Sequence, residues 1–128
     1  MSTDRQEDKS LRALRGATTV AANEASAIVT GTSELLRELL ERNAVELDDL
    51  VSLIFTTTPD LNAEFPAAAA RAIGIAHVPL LCAQEIEVPG DVARCIRVLV
   101  HLYTDRDYAS LRHVYLGEAR QLRTDLPE

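Results

Sequence analysis

The run Arg94-Cys95-Ile96-Arg97-Val98-Leu99-Val100-His101-Leu102-Tyr103 constrains the fold more than any other stretch, because it reads as a β-strand with an arginine at its centre. Successive strand side chains point to opposite faces, so Ile96, Val98, Val100 and Leu102 form one aliphatic face. Cys95, Arg97, Leu99, His101 and Tyr103 share the other. The first face is core. The second carries a guanidinium that cannot shed its charge and is costly to bury unless an anion meets it. That anion is either a carboxylate of the protein or one belonging to a ligand.

A chain of 128 residues with 47% hydrophobic content can bury a core as a single domain. The net charge of −7 argues against a nucleic-acid or anionic-membrane partner, which a basic face usually meets. Lys9 is the only lysine among the 13 basic residues, a bias toward the planar fork that recognises carboxylates. Residues 1–10 are polar and lack the apolar core of an export signal, so they read as an extension preceding one domain at 11–128. No run is long and apolar enough to span a bilayer, and a cytoplasmic location is expected. Cys82 and Cys95 have neither CxxC nor Cys/His spacing, which points to free thiols and no metal site.

Along the chain, Leu11 to Val20 has strand character interrupted by Gly16, which marks a bulge or a close approach of backbone or ligand. Asn23 is the expected N-cap of a long helix to about Arg42, with Ile28, Leu35, Leu36 and Leu39 on its apolar stripe. Leu50 to Thr58 reads as an interior strand covered on both sides. Phe65-Pro66 opens a short alanine-rich helix that Gly74 closes, with Arg71 on its surface. Val78 to Val88 is the next expected strand, and Arg112 to Leu116 a short last one. The tail, with Leu122 and Leu126, has one turn of helical pattern. The fold class is therefore α/β or α+β: a mixed sheet of about five strands, one long helix and one or two short ones. One long helix leaves a sheet face uncovered, and self-association into a ring would cover it.

Taken together, Arg15-Gly16-Ala17-Thr18-Thr19-Val20, Thr58-Pro59-Asp60-Leu61, Phe65-Pro66-Ala67, Val78-Pro79, Cys82 with Gln84-Glu85, Cys95-Ile96-Arg97-Val98 and Arg112-His113-Val114-Tyr115-Leu116 resemble the monofunctional trimeric chorismate mutases. The resemblance runs from about Leu11 to Leu126 without a large gap. It implies a homotrimeric pseudo-α/β barrel with active sites between subunits, distinct from the all-helical chorismate mutases. It also implies conversion of chorismate to prephenate with neither cofactor nor metal.

In that resemblance Arg97 contacts the breaking ether oxygen and a substrate carboxylate. Arg15 and Tyr115 grip the side-chain carboxylate, and Glu85 accepts the ring hydroxyl with Cys82 beside it. Phe65, Arg71 and Leu122 form wall, rim and tail, and the same correspondence adds Ala67, Leu80, Leu81 and Arg123 to the substrate contacts. Strict alternation places Cys82 and Glu85 on opposite strand faces, so both reach one ligand only if a bulge or strand end intervenes. Ala68 stands where the family pattern has a lysine, and Leu81 where threonine is common. Two other readings stay open: a silent carboxylate-binding module, and a trimeric imine deaminase of similar architecture.

Overall fold

The structure is a computed structural model and describes residues 8–122. Five strands form one mixed sheet in the order β3-β2-β4-β1-β5. They are β1 (Ser10–Thr19), β2 (Leu50–Thr57), β3 (Leu80–Gln84), β4 (Cys95–Thr104) and β5 (Val114–Tyr115). The helices are α1 (Ala25–Arg42) and α2 (Ala67–Ala72), and short 3-10 turns cover Leu47–Asp49, Tyr108–Ser110 and Gly117–Leu122. This is the expected fold class.

The alternation read from β4 holds. Ile96, Val98, Val100 and Leu102 are buried against the helical layer, whereas Arg97, Leu99 and His101 are half-buried and Tyr103 is exposed on the other side. β4 is central, antiparallel to β1 on one side and to β2 on the other. β3 joins β2 in parallel, and β5 joins β1 in parallel.

Several local expectations need correction. Gly16 does not interrupt β1: the ladder to β4 runs unbroken from Ser10 to Thr19. Its reason is close approach, since a Cβ there would stand 2.7 Å from Leu39 Cδ1 and 3.1 Å from Leu35 Cδ1. Asn23 is not the N-cap. Glu24 takes that position without a side-chain cap, and the Asn23 carboxamide instead accepts from the backbone N–H groups of Asn62 and Ala63. β2 is not covered on both sides by its own chain, because Leu53 and Phe55 are buried while Ile54 and Thr56 remain half-exposed on the helix-free face. β3 stops at Gln84 rather than Val88, leaving Ile86 and Val88 exposed in a loop without a strand partner. The last strand shrinks to two residues because Asn43, at the end of α1, takes the backbone of Arg112: its Oδ1 accepts from Arg112 N and its Nδ2 donates to Arg112 O.

The long helix forms as its stripe predicted. Ile28, Leu35, Leu36 and Leu39 are buried, and Gly31 lets α1 pass close to Val20. One face of the sheet thus carries α1 and α2, with Leu14, Leu53, Phe55, Val98 and Val100 in the shared core. No α-helix of the described residues lies on the other face at Ile54, Thr56, Arg97 and Leu99, which only the end of the Gly117–Leu122 turn approaches. None is long and apolar enough to cross a membrane.

Candidate active site

The helix-free face holds a pocket of about 280 Å³ lined by Arg15, Ala17, Thr56, Arg97, Tyr115 and Leu122 among others. Four residues named from the sequence therefore meet in one place. Arg15 and Ala17 reach it because the odd-numbered residues of β1 point away from α1, whose side chains press on Gly16. The β1 edge is fixed by Arg15 N donating to His113 Nδ1 at 2.9 Å. Tyr115 is buried from β5 and packs with Ala17, Cys95 and Ala119, with Leu122 behind it. The turn of the tail is pinned by Glu118 N donating to Thr19 Oγ1.

The anion that Arg97 requires is present within the protein. Its Nε lies 2.9 Å from Glu85 Oε2, and its Nη2 lies 3.2 Å from Asp91 Oδ2. The Nε is buried, and among the described residues its contact with Glu85 is an ion pair without hydrogen-bond geometry. Glu85 is in turn held by the Thr56 hydroxyl at 2.6 Å. Thr56 stands across the ladder from Arg97, so hydroxyl, carboxylate and guanidinium form one cluster. Neither Thr56 nor Asp91 stands among the site residues expected from the sequence. A threonine in a strand and an aspartate in a turn have ordinary structural roles, and only the register places them here.

A second network aims β4. The Thr58 hydroxyl accepts from Cys95 N at 2.9 Å and donates to Asp60 Oδ1, and Asp60 Oδ2 accepts from Arg94 N at 2.9 Å. Arg94 is held at φ 47°, a left-handed conformation that needs such support in a non-glycine residue. Burial pushes the Asp60 carboxyl up, but the hydrogen bonds from Thr58 and Arg94 outweigh it and hold the group below its ordinary value. The network closes one residue before Ile96 and so sets where Arg97 emerges.

The other residues expected at the site lie elsewhere in the single chain. Cys82 is opposite Phe55 in the β2–β3 register and packs against the core on the helical side. It does not stand beside Glu85. The strand ends at Gln84, between the two, and Glu85 N donates to Thr57 O as the chain turns away. Cys82 instead lines a cleft of about 360 Å³ with Phe65, Pro66, Thr57 and Gln84, in which Phe65 is 65% exposed. Arg71 and Leu80 line a shallower depression together with Gly74 and Val78. Ala67 is buried at the start of α2, Ala68 is half-exposed beside it, and Leu81 is 59% exposed on the helix-free face. Arg123 and Leu126 lie outside the described residues.

Two separate sets of groups thus exist, one around Arg97 and one around Phe65 and Cys82. The first is suited to a carboxylate-bearing ligand with a hydroxyl. It offers two guanidiniums, a phenol and the carboxylates of Glu85 and Asp91. Residues 11–126 match the family model for chorismate mutase type I. The chain belongs to the type I chorismate mutase family. It is 49% identical over 117 residues to chorismate mutase AroH of Thermus thermophilus, covering 91% of this chain and 96% of that protein. Identity to chorismate mutase AroH of Bacillus subtilis is 41% over 117 residues, covering 91% and 92%. A solved chorismate mutase structure from Clostridium thermocellum superposes with a TM-score of 0.85 at 50% identity, covering 86% of this chain and 98% of that one.

Proposed function

We propose that this chorismate mutase rearranges chorismate to prephenate at a site built from the Arg97 pocket of one copy and the Phe65–Cys82 cleft of another. The reaction is an intramolecular pericyclic shift. The ether C–O bond breaks as a C–C bond forms between the enolpyruvyl methylene and the ring, so nothing leaves and no nucleophile is required. The protein's task is to fold the enolpyruvyl arm over the ring and to stabilise charge developing on the ether oxygen.

Arg97 supplies that stabilisation. Its guanidinium donates to the ether oxygen, and the far side of the same fork is a seat for a carboxylate. Arg15 and Tyr115, which line the same pocket, grip the second carboxylate. Glu85, fixed by Thr56, accepts the ring hydroxyl and thereby orients the ring. Phe65, Cys82, Arg71, Leu80 and Leu81 of a neighbouring copy close the site, with Ala67 following Phe65 at the start of α2 and Leu122 lining the pocket. The family resemblance adds Arg123, outside the described residues, as a further substrate contact. Closure against a second copy matters because donors aimed at developing charge act most strongly where water is excluded.

The observation that carries the reading is the convergence of Arg15, Arg97, Glu85 and Tyr115 on a helix-free sheet face, with the remaining groups displaced to another edge of the chain. A homotrimer is part of the proposal. Exposed Leu81, Leu11 and Tyr103 support it. A single domain following a short polar extension and a cytoplasmic location complete it, the latter supported by two free cysteines.

The test is incubation with chorismate, following loss of its diene absorbance and appearance of prephenate. Acceleration over buffer is expected, and its absence overturns the reading. Light scattering should give three times the 14.0 kDa chain mass, and a monomer mass at micromolar concentration rejects the shared site.

A further inference from the structure

We propose that Asp91 is a built-in occupant of the substrate-carboxylate seat on Arg97, a latch that the dianion displaces on binding. This rests on the reading above, in which Arg97 receives a substrate carboxylate.

The latch belongs to the loop between β3 and β4. One end is fixed by Glu85 N donating to Thr57 O, and the other by Asp60 accepting from Arg94 N. Between them, Ile86 is 86% exposed and Val88 57% exposed. Pro89-Gly90 then folds the chain back, with Gly90 at φ 88° and Asp91 N donating to Val88 O. That turn brings Asp91 Oδ2 to Arg97 Nη2 at 3.2 Å, while Asp91 Oδ1 accepts from its neighbour Val92 N. Val92 is seated near Tyr115 and Cys95, so the loop's far end is anchored. Release needs only rotation of the Asp91 side chain or a shift of the exposed run before it.

Two carboxylates consequently attend one guanidinium. Glu85 is held by Thr56 and stays. Asp91 has no such tether to the strand, and its side chain is 32% exposed, so it is the group that yields. A bidentate carboxylate needs two parallel N–H bonds from the fork, and in the empty protein the Nη2 edge is already engaged. A binding state populated only in part weakens apparent affinity by that fraction. A solvent-exposed ion pair of this kind is worth about two- to five-fold in an equilibrium constant.

The experiment compares wild type, Asp91→Asn and Glu87→Gln in steady-state kinetics with chorismate, and measures inhibition by prephenate. Asparagine keeps an acceptor for Val92 N–H and loses the charge on Arg97. Glu87→Gln makes the same charge change on the same loop at an exposed position away from Arg97. Asp91→Asn should lower KM and the prephenate inhibition constant by about two- to five-fold with kcat unchanged. Glu87→Gln should shift neither beyond a small, salt-sensitive change. An equal effect of the two variants, an unchanged KM, or a fall in kcat for Asp91→Asn overturns the latch. If Asp91→Asn does not fold, Asp91→Ser is read by the same criteria. Inactive wild type refutes the proposed function, whereas active wild type with an unmoved KM in the variant refutes the latch alone.

Discussion

Arg97 stands directly across the β2–β4 ladder from Thr56, and that register keeps a carboxylate beside the guanidinium. The Thr56 hydroxyl donates to Glu85 Oε2 at 2.6 Å, and the same oxygen lies 2.9 Å from Arg97 Nε. Glu85 sits beyond the end of its strand, where the backbone no longer dictates where its side chain goes. The hydroxyl supplies what the strand end has lost.

Thr56→Val should therefore lower kcat/KM roughly ten-fold, the scale of one hydrogen bond to a charged group, with Tm little changed. Thr56→Ser should restore most of the loss, because it returns the hydroxyl at the same position. A valine variant with normal kinetics would show that Glu85 is held by something else.

Arg97→Met separates rate from stability. The guanidinium is 37% exposed but the Glu85 carboxylate only 12%, and Glu85 keeps its Thr56 hydrogen bond when Arg97 is gone, so folding should lose roughly 1–3 kcal/mol. The rate should fall by about 10²–10³ or more, the loss known for one donor aimed at developing negative charge. Lysine should rescue poorly, since a point charge cannot span an ether oxygen and a carboxylate. Thermal melting and single-turnover rates decide the matter. A strongly destabilised methionine protein of near-normal rate would make Arg97 structural.

The contrast between these residues shows what was legible in the sequence. Strand alternation announced Arg97 as a charge on a half-covered face, because the period of two is fixed by the backbone whatever the neighbours are. The stripe of α1 was legible for the same reason. Asn23, Asn43 and Asp91 were not, since a short polar side chain can bond any nearby backbone group and its partner is fixed only by the packed fold. Cys82 shows the reverse limit. Alternation placed it opposite Glu85, and the structure keeps that separation. The helix-free face was foreseen from a shortage of helix, but which side chains converge on it depended on strand order, and strand order leaves no local trace.

The two thiols should differ in reactivity. Burial pushes the Cys95 thiol up to about 11, outweighing the nearby Arg97 that favours its thiolate. At pH 8 only about one Cys95 in a thousand would be ionised, and the group is fully buried besides. Iodoacetamide followed by peptide mass spectrometry should label the half-buried Cys82 first, and prephenate should slow that labelling. Faster modification of Cys95 would contradict the packing around β4.

Asp60 offers a test by pH. Its carboxylate supports Arg94 in the left-handed region and is itself held below the ordinary carboxylate value, despite some burial, by hydrogen bonds from Thr58 and Arg94. A group whose folded pKa is depressed stabilises the fold above its unfolded pKa of about 3.9, and that contribution disappears as pH falls through the folded value. Asp60→Asn keeps the shape and one acceptor but removes the charge. The variant should therefore melt below wild type at neutral pH, by an amount corresponding to about 1 kcal/mol, with solvent exposure keeping it small. The gap should be constant above roughly pH 5 and narrow as pH drops through 4 and below. Melting curves of both proteins from pH 3 to 8 supply the measurement. A gap that widened on acidification would mean the carboxylate is a burden that protonation relieves, and the assignment of Asp60 as the anchor of β4 would fall with it.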